Sequence, residues 1–203
     1  INYWLYTFTA TCLLCLVEPF VAIWLGQDFV LTKAILILAV AIYYFKGINS
    51  GIDIAKNAAG LYYPDRFIPM AEAIANMVIS IVLAKRYGIA GVLFGTLVSF
   101  LALSFWAKPY FVCRDVFEVS FARYAVREGR EIVVSVLVAA GTWYAVSLVS
   151  LENMLLRFGV KALLALALSN GLLLLVYFKT SEFQYLRGLL ESAANRIGKR
   201  KKA

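Results

Sequence analysis

The sequence contains no histidine, the side chain that most often serves as a general base or a metal ligand near neutral pH. Charge is scarce too: Asp, Glu, Lys and Arg make up 16% of the 203 residues, where a soluble globular domain carries about a quarter. Together with 63% hydrophobic residues and a mean hydropathy of +0.80, this excludes an ordinary soluble domain. The three cysteines, Cys12, Cys15 and Cys113, have neither a second pair nor a histidine beside them. Cys12 and Cys15 lie three apart on one apolar run and read as small hydrophobes, so no metal or other cofactor is expected. An initiator Met, a charged leader region and a small-residue cleavage site are missing as well, and the expectation is that Ile1 opens the C-terminal part of a longer protein.

What is present is apolar sequence in membrane lengths. A hydrocarbon core of ~30 Å takes about 20 helical residues, and six segments reach that length: about residues 3–24, 29–46, 68–87, 89–108, 132–149 and 156–178. The expected fold is all-α, a polytopic transmembrane bundle of about six spans over residues 1–180, followed by a cytoplasmic basic tail over 181–203. Pro19 is expected to loosen the first helix, and Pro69 falls in the first turn of the third, where its missing N–H costs nothing. Arg86, Tyr87 and Gly88 leave room only for a tight hairpin between the third and fourth. Gly91, Gly95 and Ser99 form a small-residue stripe that lets another helix backbone come close. Residues 108–131, holding Arg114, Arg123, Arg127 and Arg130, read as a hydrophilic connector.

The net charge of +8 does not point to nucleic acid, because the basic residues sit at the ends of membrane-length segments. With the tail in the cytoplasm, the same side receives all of the 20 Lys and Arg except Lys33, Lys85, Arg86, Arg157 and Lys161. The positive-inside rule then puts both ends inside. Trp4, Trp106 and Trp24 fit aromatic belts at the two boundaries, while Trp143 does not.

One long polar interval interrupts the apolar sequence, residues 46–72. Lys46, Asn49 or Ser50, Asp53, and Lys56 or Asn57 recur every three to four residues, with Ile48, Ile52, Ala55 and Ala59 opposite, which is the period of a helix. The helix of the second span is therefore expected to run on into this interval.

From Gly60 to Phe117 the order of small motifs is itself distinctive. Gly60, Tyr62, Tyr63, Asp65, Arg66 and Pro69 precede a helix opening with Glu72 and Ala73; Gly88, Gly91 and Gly95 follow; and Trp106, Pro109 and Tyr110 close the run. This resembles the C-terminal half of bacterial polysaccharide flippases, the Wzx-like exporters of O-antigen lipopolysaccharide, capsule and teichoic-acid units in the MOP superfamily. Residues 19–26 fit the pattern, and similarity extends more weakly over nearly the whole chain. Glu18 departs from it. The resemblance implies one six-helix lobe of a two-lobed MOP/MATE-like transporter in the bacterial cytoplasmic membrane. Its cargo would be an oligosaccharide linked to undecaprenyl diphosphate, moved outward by alternating access, with a proton or sodium gradient as candidate driving force. The N-terminal half and polysaccharide assembly proteins would be its partners.

A sugar and a diphosphate cannot enter hydrocarbon unaided, so such a protein needs a polar cavity with cationic groups. Lys46, Lys56 and Arg66 are candidates for the diphosphate, with Asn49 and Asp53 beside them; equally, boundary cations set topology and snorkel. Asp53 could pair with Lys56, hold it in place, or exchange a cation. Glu72 lies just inside a span, where carboxylates are often functional, and is the candidate for ion coupling; a place in the first helical turn explains it as well. Tyr62 and Tyr63 read as interface anchors. Another lipid or drug exporter of the same superfamily is an alternative, as is an integral-membrane glycan enzyme such as a polymerase or acyltransferase. The enzyme should carry an acid/base constellation in a sizeable loop, and the short outer loops offer none. A purely structural membrane subunit is a third reading.

Overall fold

The computed structural model describes residues 2–63 and 65–178. The basic tail expected over 181–203 lies outside the described residues. Six helices follow one another: α1 (Asn2–Trp24), α2 (Lys33–Ala58), α3 (Ile68–Ala102), α4 (Ser104–Asp115), α5 (Phe121–Ser147) and α6 (Met154–Tyr177), with one 3-10 turn, Gln27–Phe29, between α1 and α2. Among the described residues there is no strand. Five apolar stretches are long enough to cross a bilayer: α1, α2, α5, α6, and the 48-residue run Ile68–Asp115. The protein is a multi-pass helical membrane protein.

The 48-residue run does not continue in one direction. Gly88 adopts φ 57° and ψ −134° inside α3, a conformation open to glycine and closed to residues with a Cβ. The chain reverses there into two antiparallel arms, 68–87 and 89–102. Their proximity is direct: a Cβ on Gly91 would lie 2.5 Å from the Leu83 carbonyl oxygen, and one on Gly95 the same distance from Ser80 Oγ. The small-residue stripe thus serves the hairpin itself. Polar groups pair across the same seam. Thr96 donates to Asn76 Oδ1 at 3.2 Å, and Ser80 to the Val92 carbonyl at 3.3 Å.

Several expected boundaries are corrected. The second span starts at Lys33 and not at residue 29, because Gln27–Phe29 is spent on a turn, and it runs to Ala58 through the polar interval. The fourth span, expected over 89–108, breaks at Leu103. Most of the supposed connector 108–131 is helix, since α4 extends to Asp115 and α5 begins at Phe121. The reason lies in helical phase. In α5, Glu128, Glu131, Ser135, Val138, Thr142 and Val146 are buried on one stripe, while Arg123, Arg127 and Arg130 are exposed around the rest. A plain count of charges reads that segment as a loop; its period reads as an amphipathic helix. Pro19 sits inside α1, which stays helical through to Trp24.

α1 lies at the middle of the bundle, packed on α2, α5 and α6. Ala10, Tyr44, Ile48, Phe100 and Phe105 form one core cluster, and Cys15, Val146 and Ala165 a smaller one. The surface is apolar in the opposite sense to a soluble protein: Val82, Leu137, Leu163 and Leu175 point outward, while Thr7, Thr11, Ser135, Thr142 and Ser169 are buried. Lipid tails solvate the first set, and close helix packing accommodates the second.

Candidate functional site

α2 carries the polar face from the membrane into the connection to α3, and it disperses the residues expected to work together. Lys46 is exposed, with its ammonium 5.8 Å from the Phe100 ring centre. Asn49, one turn on, is 2% exposed, and among the described residues neither its amide nitrogen nor its carbonyl oxygen has a hydrogen-bond partner. Asp53 does not pair with Lys56. It meets Lys108 of α4 at 2.9 Å, and Lys56 meets the buried Asp65 at 2.6 Å. The local spacing that favoured an Asp53–Lys56 pair loses to partners brought from other elements. Arg66 lies over two rings, 4.3 Å from the Tyr63 centre and 4.6 Å from that of Phe67. Among the described residues, Lys46 and Arg66 therefore meet aromatic faces and no carboxylate.

Glu72 falls just past the first turn of α3, whose N-cap is Phe67. It accepts a hydrogen bond from Ser104, the fully buried residue that opens α4 after the break at Leu103. With Asn76 and Ser80 it forms a polar stripe at successive turns of the first arm, which binds the two arms and α4 into one unit.

Two buried carboxylates lie outside the expected site residues. Glu128 and Glu131, one turn apart on α5, are 2% and 4% exposed. Tyr3 of α1 donates its hydroxyl to Glu128, and Tyr124 hydrogen-bonds the same carboxylate. Tyr177 of α6 donates to Glu131, whose other oxygen holds the exposed Arg130 at 2.7 Å. One turn deeper, Ser135 hydrogen-bonds Thr7 at 2.6 Å and accepts from Tyr44 of α2 at 2.8 Å. Nearby, Trp4 donates to Asn170 at 3.2 Å.

This is a continuous polar seam between α1, α2, α5 and α6 inside a membrane bundle. Burial leaves these two carboxyl groups little water, and its cost is offset by the Tyr3, Tyr124 and Tyr177 hydroxyls and by Arg130 on Glu131. Hydroxyl donors from Tyr3 and Tyr177 fix the two carboxyl groups in position.

No family model, curated protein or solved structure matches this chain. The functional reading accordingly rests on the motifs between Gly60 and Phe117 and on the geometry of these sites.

A signal for the buried seam was present in the sequence. Glu128, Glu131, Ser135 and Thr142 fall on one helical face, and Tyr3, Thr7 and Thr11 recur at every fourth residue of α1. Polar residues with helical period inside apolar segments mark an interior face.

Proposed function

We propose that this chain is one lobe of an ion-coupled membrane transporter, and not an enzyme, and that it exports lipid-linked oligosaccharide across the bacterial cytoplasmic membrane by alternating access. The cargo follows from the resemblance of residues 60–117 to Wzx-like flippases. The observation that carries the coupled-transport reading is the burial of Glu128 and Glu131 between α1, α5 and α6. A structural subunit has no reason to bear the cost of two carboxyl groups in a bilayer, whereas a transporter that binds and releases a proton or sodium ion needs such groups. Their position where three helices meet lets the occupancy of the site bias how those helices pack.

On this reading the coupling role belongs to Glu128 and Glu131 ahead of Glu72, whose hydrogen bond to Ser104 gives it a structural task. Both ends of the chain face the cytoplasm, and Lys46 and Arg66, free of carboxylates, wait for the diphosphate on that side.

The test is export in the intact transporter. Glu128→Gln and Glu131→Gln each keep the hydrogen-bond acceptor and remove the carboxylate, so each should abolish gradient-dependent glycan export while membrane insertion stays normal. Glu72→Gln should retain most of it. Export that keeps its rate and pH dependence in both α5 variants would sink the coupling role.

A further inference from the structure

At the end of the bundle opposite the 46–72 interval, a cavity of about 360 Å³ opens between α1, α2, α5 and α6. Its charged walls are Glu18, Lys33, Arg157 and Lys161. None of the three cations has a carboxylate within ion-pair distance among the described residues. Their placement makes the imbalance worse. Lys33 is the first residue of α2 and Arg157 lies in the first turn of α6, both at the positive ends of helix dipoles, with Lys161 one turn further along α6. Asn153 already occupies the first amides of α6, whereas Thr32 gives α2 no side-chain cap. Arg157 and Lys161 are half-buried and, four residues apart, share a face. Cations gathered this way, with Glu18 as the single carboxylate in the wall, favour an anion.

The cavity does not end at its polar part. Leu14 and Trp143 also line a second hollow of about 300 Å³, whose remaining walls are almost wholly apolar: Ile37, Val40, Ala41, Val136, Ala139 and Ala140. α2 and α5 both lean on α1 but hardly on each other, which leaves this groove along α1. The Tyr44–Ser135 hydrogen bond closes its far end. A cationic pocket that runs into an apolar groove matches an amphiphile with a charged head and a hydrocarbon chain.

We propose that the pocket and groove together seat an anionic, phosphate-headed lipid. Arg157 offers its planar fork and Lys33 and Lys161 their point charges to the phosphate oxygens, while one hydrocarbon chain lies between α2 and α5 against Ala139 and Ala140. The groove decides for a lipid over a soluble phosphate, which would leave it unused. The inference is independent of the transport reading, since it needs neither Glu128 nor the resemblance.

The test is lipid retention by the purified full chain, followed by native mass spectrometry in detergent with phosphatidylglycerol or phosphatidylcholine, and with inorganic pyrophosphate as the soluble arm. Phosphatidylglycerol should be held about tenfold more tightly than phosphatidylcholine, and that preference should vanish in Arg157→Gln/Lys161→Gln. Ala139→Phe should weaken lipid retention without changing pyrophosphate binding. Glu18→Gln, at an exposed position, should raise phosphatidylglycerol retention severalfold and keeps the test decisive if the double variant fails to fold. Equal retention of phosphatidylglycerol by wild type and Arg157→Gln/Lys161→Gln overturns the proposal. So does lipid retention untouched by Ala139→Phe while pyrophosphate binds, because that outcome describes a soluble-anion site.

Discussion

Asp53 of α2 holds the ammonium of Lys108 of α4 at 2.9 Å, although Lys56 lies one turn away on its own helix. Lys56 is already taken by Asp65 in the connection to α3, at 2.6 Å. Each pair fastens a different element onto the end of α2, and the two differ in burial. The side chains of Lys56 and Asp65 are 13% and 5% exposed, whereas Asp53 is 39% exposed.

That difference predicts unequal costs. Lys56→Met strands a buried carboxylate and should destabilise by about 3–5 kcal/mol; Asp53→Asn removes half of a partly solvated pair and should cost about 0–1 kcal/mol. Thermal unfolding of the purified chain in detergent compares them, and equal shifts in midpoint would contradict the assignment. It follows that a double Lys46→Ala, Lys56→Ala variant that lost export would not by itself implicate Lys56 in binding. Lys46→Ala and Arg66→Ala are the cleaner probes of the diphosphate role.

The hairpin seam makes a second prediction. Gly91→Ala and Gly95→Ala push a methyl group against backbone of the opposite arm and should each cost about 1–3 kcal/mol. Gly159 and Gly171 are helical and have nothing within 4 Å of a built Cβ, so alanine there should be neutral or stabilise by up to about 1 kcal/mol. If all four variants unfold at the same temperature, the arms are not packed through Gly91 and Gly95.

Asn49 separates stability from activity. Its amide is buried with no partner, so Asn49→Leu should raise stability by about 1–3 kcal/mol, the desolvation cost of an unsatisfied amide. If the amide meets cargo during transport, the same variant should lose export. A variant that is neither more stable nor less active would leave the burial of Asn49 unexplained by either role.

Much of this architecture is legible in the sequence, and the failures share a cause. Span positions follow from apolar run length, the hairpin from the brevity of Arg86-Tyr87-Gly88, and the extension of α2 from the period of Lys46, Asn49, Asp53 and Lys56. These signals are local. The partner of Asp53 is not, since Lys108 reaches it only once α4 has folded back onto α2. Glu128 and Glu131 are hidden for another reason: by charge density alone, three outward arginines mask two inward carboxylates on the same helix. Phase along α5 separates them.

Orientation gives a fourth prediction. In the proposed orientation, with both ends in the cytoplasm, a cysteine at Arg86, at the hairpin tip, should react with an impermeant maleimide in intact cells, and one at Gly60 only after permeabilisation. Cys12, Cys15 and Cys113, half-buried or buried, would give a low background. The reverse labelling pattern would invert the topology.

Asn76 and Thr96 hydrogen-bond across the hairpin, and Ser80 reaches both Asn76 and the Val92 carbonyl. Each hydroxyl also has an acceptor one turn back in its own arm, Asn76 Oδ1 for Ser80 and the Val92 carbonyl for Thr96, and Gly88 is the hinge between the arms. Biogenesis of this region therefore has two stages open to it: either arm can enter the bilayer with its hydroxyl satisfied locally, and the bonds across the seam form when the second arm is made and folds back at Gly88.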